Sequence, residues 1–229
     1  MILFNIMIKA LIYDMGDLLY DASGWRKWLY KFLNEELGIK ITYTKLYDVW
    51  ENLFLCKIHK NLISYKYGFN EFLDYLGLLK VQKEELLKIN WDVKKEIEDK
   101  AKPFKHVKET LKKLKISGFI NCILTDTELN STQVWTKLNK FLQIGEYIDL
   151  VVSSSDINSR KPEKMAYQYC LDKMGLNKEN VLFIGHDKDE LDGANNFGIK
   201  TIAYNNNTDV KATYKIKDFI EILNIVDVK

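Results

Sequence analysis

Five times along the chain a short apolar run stops abruptly at polar residues. The runs are Lys9-Ala10-Leu11-Ile12-Tyr13, Phe119 to Leu124, Ile148 to Val152, Val181 to Ile184, and Lys200-Thr201-Ile202-Ala203-Tyr204. Helical periodicity fills the later intervals: Val107 to Leu114 precedes the second run, and Val134 to Phe141, Lys164 to Met174 and Leu191 to Phe197 separate the rest. Strands that alternate with helices of about ten residues pair in parallel through right-handed crossovers. The first run joins the same sheet, because a continuously apolar strand needs cover on both faces. The expected fold class is therefore α/β, a doubly wound parallel sheet.

Residues 20 to about 98 read differently. Trp25, Trp28, Leu29, Phe32 and Leu33 recur at spacings of three and four, as do Leu46, Val49, Trp50, Leu53 and Phe54, and then Phe69, Phe72, Leu73 and Leu76. Such stripes predict amphipathic helices whose aromatic faces pack on one another. The chain thus divides into a core of residues 1–19 and 99–229 and a helical insertion of residues 20–98. Asn205-Asn206-Asn207 reads as a short polar turn.

Composition excludes several function classes. Thirty-four basic and 32 acidic residues are mixed along the 229-residue chain, for a net charge of +2, so no basic stripe offers itself to nucleic acid. The stretch Met1 to Tyr13 is interrupted by Asn5 and Lys9, falls short of the roughly 20 residues of a membrane span, and lacks the features of a signal peptide. It reads as a core strand behind a short leader, with Met7 as an alternative start. Cys56, Cys122 and Cys170 are odd in number and widely spaced, which points to neither a disulfide framework nor a zinc site and suggests a reducing, cytoplasmic location.

Parallel strands share a direction, so the polar residues at their C-terminal tips converge on one crevice. Asp14 follows the first strand, Thr125-Asp126 the second, and His186-Asp187-Lys188-Asp189-Glu190 follows Ile184-Gly185; Arg160-Lys161-Pro162 opens a helix between them. Singly, these residues suit helix caps and solvated loops. Together, a nucleophilic carboxylate, a hydroxyl donor, a lysine and an acidic pair able to hold Mg²⁺ are the parts of phosphoryl transfer through an aspartyl-phosphate.

The set resembles the haloacid dehalogenase-like (HAD) hydrolase superfamily, in the group with a helical cap inserted after the first motif. Leu11-Ile12-Tyr13-Asp14-Met15-Gly16-Asp17-Leu18-Leu19 matches the first motif, Cys122-Ile123-Leu124-Thr125-Asp126 the second, and Arg160-Lys161-Pro162-Glu163 the third. Val181 to Asp187, leading to Gly193-Ala194, matches the fourth. The resemblance implies a Rossmann-like core and a phosphatase of a small phosphorylated metabolite. Asp14 would be the nucleophile, Thr125 and Asp126 would bind substrate, and Lys161 would neutralise both Asp14 and the substrate. Mg²⁺ would sit on Asp14, the Gly16 carbonyl and a fourth-motif residue.

Two departures stand out. Gly16 occupies the place of the family's second aspartate, the general acid and base, and Asp17 one residue on is the candidate substitute or else a turn residue. His186 replaces the fourth-motif aspartate; it is a poor Mg²⁺ ligand, so Asp187 is the next candidate for the metal, with Asp189 or Glu190 as anchors behind it, and if the loop does not shift to bring Asp187 in, His186 favours a softer metal or none. Of the three histidines, His186 alone is expected at the crevice, with His59 and His106 on helix surfaces. The departures leave two alternatives beside the Mg²⁺-dependent phosphatase: a metal-independent, dehalogenase-like hydrolase, and a catalytically degenerate binding module.

Overall fold

A computed structural model describes residues 7–205 and 210–228; the expected leader through residue 6 and Asn206-Asn207 of the polar turn lie outside the described residues. The sheet has six parallel strands, β1 (Ala10–Tyr13), β2 (Ile120–Thr125), β3 (Leu150–Ser153), β4 (Val181–Gly185), β5 (Lys200–Tyr204) and β6 (Tyr214–Ile216), in the order β3-β2-β1-β4-β5-β6. Five correspond to the apolar runs. β6 was not expected: of its three residues only Ile216 is buried, which leaves almost no hydrophobic signal.

β1 lies at the centre, with Ile12 in register with Cys122 on one side and Phe183 on the other. All four of its residues are fully buried, and they alternate between two cores: Leu11 and Tyr13 face one side with Ile123 and Ile184, while Ala10 and Ile12 face the other with Cys122, Leu124 and Phe183. The helical layers that cover these faces make β1 apolar throughout. Chain order runs outward from β1 to β3 and then jumps back to β4. The β1/β4 boundary is therefore the switch point, where open sheets leave a crevice at their strand ends.

The insertion after β1 is wholly helical, with α1 (Gly24–Lys31), α2 (Tyr43–Val49), α3 (Cys56–Ile58), α4 (Tyr65–Tyr75) and α5 (Lys80–Asp99). Thr42 and Ser64 cap α2 and α4 by accepting from the Lys45 and Tyr67 amides. Its core gathers Trp25, Leu29, Trp50, Phe69, Phe72 and Leu86, with Trp25 Nε1 donating to Asn90 Oδ1 at 2.9 Å. The aromatic stripes expected from the sequence do meet here. Two π-helical turns, Phe32–Glu36 and Trp50–Leu55, interrupt the regular helix and were not legible in the spacing.

Beyond the insertion, α6 (Val107–Ile116), α7 (Ser131–Lys140), α8 (Ser154–Ile157), α9 (Lys164–Met174), α10 (Lys188–Phe197) and α11 (Ile222–Ile225) complete the core. Gly175 and Gly198 end α9 and α10 in the left-handed conformation, the usual stop for a helix that must turn back to a strand.

Candidate active site

The polar residues of three strand ends and of the segment before α9 do converge. They line a cavity of about 420 Å³ between the sheet's C-terminal edge and the helical insertion. Asp14 leaves β1 with its amide donating to the Ile184 carbonyl oxygen at 3.0 Å, which fixes its backbone to β4. Lys161 Nζ donates to Asp14 Oδ1 at 2.6 Å and to the Leu124 carbonyl oxygen at 2.9 Å. Both side chains are nearly inaccessible, at 11% and 3% exposure.

Asp126 holds Lys161 in place: its Oδ1 accepts the Lys161 amide at 3.2 Å, and its Oδ2 lies 3.7 Å from Nζ. Thr125, at the buried end of β2, lines the cavity beside it. Burial pushes Lys161 towards the neutral form, but Asp126, Asp14 and Glu190 outweigh that and hold its pKa well above the usual lysine range. Burial raises Asp14 to about 6, against the lowering influence of Lys161.

The two remaining first-motif residues lie in the turn after β1. Gly16 lines the cavity and pairs with Tyr20 in an isolated bridge, so its peptide is part of the wall. Asp17 adopts a left-handed φ of 57°, accepts the Ala22 amide on Oδ1 at 2.8 Å, and binds Arg26 of α1 through Oδ2 at 2.6 Å. Its carboxylate is committed to the turn and to the insertion, as the turn-residue expectation had it, with Arg26 as an added partner.

In the fourth motif, Asp187 is the N-cap of α10: its Oδ1 accepts the Asp189 amide at 3.1 Å, and the side chain is exposed. Glu190, three residues on, completes a capping box and accepts the His186 and Asp187 amides on Oε1 at 2.8 and 3.0 Å. That fold-back buries Glu190 against the site. A Cβ on Gly185 would come within 2.4 Å of Glu190 Oε1, so the glycine makes room for this carboxylate. Of the metal set read from the sequence, Asp14 therefore joins the inner cluster, while Asp187 stays outside it and Glu190 takes a place there. The signal for Glu190 was the S/T/D-x-x-E spacing from Asp187, which identifies a capping partner.

His186 stands with them. Its Nδ1 is 3.6 Å from Asp14 Oδ2 and 3.4 Å from Glu190 Oε1. Burial disfavours its charge, but the bond to Glu190 and the charges of Asp14 and Glu190 push its pKa up to about 9. Asp14, His186 and Glu190 each offer one donor atom, and the three atoms lie within 4.8 Å of one another. Two carboxylates and an imidazole that gives up its Nδ1 proton are donors that a divalent cation accepts. The cavity's charge also calls for one, since nine carboxylates but only five lysines and arginines line it. The donor set fits a divalent ion.

The insertion supplies the opposite wall. Arg160 Nη2 reaches Glu51 at 2.7 Å, and Lys94 bridges Glu98 at 2.5 Å and Glu128 at 3.2 Å. His59, expected on a helix surface, is instead buried and lines the cavity; burial pulls its pKa down to about 4, so it is neutral. This end of the segment faces the crevice and not solvent, since Leu55 and His59 both line the cavity opposite the strand ends. Trp25 and Arg26 also line the cavity, while Trp28 packs on the insertion's core and Lys66 is exposed.

Comparison with known proteins bears on this geometry. Residues 30–204 match the haloacid dehalogenase-like hydrolase family. The chain is 33% identical over 97 residues to (S)-2-haloacid dehalogenase 4A of Burkholderia cepacia, a stretch covering 42% of this chain and only 41% of that protein. It is 26% identical over 235 residues to the glyceraldehyde 3-phosphate phosphatase of Methanothermobacter thermautotrophicus, covering 97% of each. Among solved structures, the magnesium-bound HAD-hydrolase YfnB of Bacillus subtilis superposes with a TM-score of 0.74 at 16% identity, over 97% of this chain and 100% of that one. Identity that low speaks to the fold alone.

Proposed function

This chain belongs to the haloacid dehalogenase-like hydrolase family, and we propose that it hydrolyses phosphate monoesters of small molecules through a covalent intermediate on Asp14. The observation that carries this reading is the buried Lys161–Asp14 pair, 2.6 Å apart, in a cavity whose opposite wall is the helical insertion. We take residues 20–98 as the cap, and residues 1–19 and 99–229 as the core.

In the first step a carboxylate oxygen of Asp14 attacks phosphorus, the ester P–O bond breaks, and the leaving oxygen takes up a proton. In the second, water attacks the aspartyl-phosphate, giving inorganic phosphate and regenerating Asp14. Lys161 compensates the charge of both the carboxylate and the transferring group, and the Thr125 hydroxyl donates to that group. Asp126 positions Lys161 through its amide and ammonium. A divalent cation, for which the family resemblance implies Mg²⁺, would be held by Asp14, Glu190 and His186 near the Gly16 peptide, and would supply further charge neutralisation. Gly16 cannot donate a proton, and Asp17 is engaged by Ala22 and Arg26, so proton delivery is left to His186, a cap residue, water or the substrate. The absent donor lowers the rate by about 10²–10⁴.

Small phosphorylated molecules fit the cavity's size and its cationic groups. No helix among the described residues is long and apolar enough to cross a membrane. Release of phosphate from p-nitrophenyl phosphate, with its loss in Asp14→Asn, tests the reading; equal activity in that variant overturns it.

A second reading is favoured by Gly16 specifically. Ester formation at Asp14 by displacement of halide needs no acid for the leaving group and no metal. Halide release from a 2-haloacid that persists in EDTA would replace the phosphatase reading.

A further inference from the structure

Which cation the site takes follows from the chemistry of its three donors and from the two distances that His186 makes to the carboxylates. Mg²⁺ demands nearly ideal octahedral oxygen coordination at about 2.0–2.1 Å, which sets neighbouring donors about 3 Å apart. Here the imidazole nitrogen of His186 stands 3.6 Å from Asp14 Oδ2 and 3.4 Å from Glu190 Oε1. Donors about 2.1 Å from one ion are roughly 3.4–3.6 Å apart when they subtend a tetrahedral or slightly wider angle, the geometry that Zn²⁺ and Co²⁺ adopt with mixed nitrogen and oxygen ligands. The imidazole is itself a donor that suits those ions better than Mg²⁺.

The site is also fixed in shape. Glu190 is locked by the two amides that open α10, and Gly185 leaves no Cβ to displace it. Asp14 is held at its backbone amide by the Ile184 carbonyl and at Oδ1 by Lys161, and its Oδ2 is the oxygen nearest His186. The excess of carboxylates around the cavity supplies the independent reason for a cation to be there.

We infer that this chain selects a first-row transition ion such as Co²⁺ or Zn²⁺ over Mg²⁺, with His186 Nδ1, Asp14 and Glu190 as its ligands. The inference rests on the hydrolase reading only in placing the ion at Asp14. It departs from the ion that the family resemblance implies, and His186 is the cause.

Calorimetric titration of the full chain, stripped with EDTA, against Co²⁺, Zn²⁺ and Mg²⁺ tests it. Co²⁺ and Zn²⁺ should bind at least tenfold more tightly than Mg²⁺. The Co²⁺ form should show the intense visible bands of a four- or five-coordinate ion, and a paramagnetically shifted, exchangeable imidazole N–H proton. In His186→Asp that proton should vanish and the preference should move towards Mg²⁺. Equal or tighter Mg²⁺ binding, a Co²⁺ spectrum without an imidazole proton, or no binding of any ion overturns the assignment. The wild-type spectrum decides the matter even if the variant does not fold. Phosphorylated Asp14 without an imidazole-bound ion would overturn this inference and leave the hydrolase reading standing; an imidazole-bound ion with no acyl-phosphate on Asp14 would do the reverse.

Discussion

The ammonium of Lys161 sits 2.6 Å from Asp14 Oδ1 while the same nitrogen donates to the carbonyl oxygen of Leu124, the residue before Thr125 on the neighbouring strand. One buried cation thereby joins β1 to β2 and sets the carboxylate's orientation. Structure and reactivity are inseparable at this point of the fold.

Replacing Lys161 by Met should therefore damage both. Removing one partner of a buried ion pair costs about 3–5 kcal/mol. Loss of one charge-stabilising donor lowers turnover by about 10²–10³. Urea unfolding alongside steady-state kinetics would show both effects; a variant of unchanged stability would mean that the buried charges are compensated elsewhere.

Asp17 and Asp14 are three residues apart, yet only one of them should carry chemistry. With Asp17 Oδ1 on the Ala22 amide and Oδ2 on Arg26, Asp17→Asn keeps an acceptor for the amide and weakens the tie to the cap. A rise in KM with kcat reduced less than about tenfold, and no change in the pH profile, is the expected result. A fall in kcat of about 10²–10⁴ would instead make Asp17 the proton donor.

Gly16→Asp restores the acid at the place where the family keeps it. The new Cβ would stand 3.1 Å from the Ala22 Cβ, close enough that the turn must yield by a few tenths of an ångström. An increase in kcat of about tenfold or more with a poor leaving group such as an alkyl phosphate is expected, with little gain for p-nitrophenyl phosphate. Equal changes for both esters would show that leaving-group protonation does not limit the rate.

His59 makes stability fall in acid. Its folded pKa of about 4 lies below the ordinary 6.5, so the unfolded chain binds the proton more tightly. The contribution is complete above pH 6.5 and is lost as pH falls towards 4, with about 2–3 kcal/mol at stake. His59→Leu should flatten the decline in unfolding free energy between pH 7 and 4.5. An unchanged slope would mean that the imidazole is solvated.

Much of this was legible in the sequence, because it depended on short-range pattern. The five apolar strands, the helical insertion and the convergence of Asp14, Thr125, Asp126 and Lys161 all followed from periodicity and from parallel strand direction. β6 was not, since a three-residue edge strand with Tyr214 and Lys215 exposed buries too little to leave a pattern. His59 was read as a helix-surface residue, and nothing in the local pattern marks that the end of α3 faces the cavity. The choice between Asp187 and Glu190 turned on capping: both are acidic and lie three residues apart, and only the three-dimensional path of α10's first turn sends one outward and the other to Asp14.

The most direct test of the central claim is mass spectrometry of the enzyme, acid-quenched during turnover of a phosphate ester and digested. The peptide containing Asp14 should carry one phosphoryl group, labile to base, and the adduct should be absent in Asp14→Asn. Turnover with no adduct on Asp14, or an adduct on another residue, would contradict the assignment of Asp14 as nucleophile.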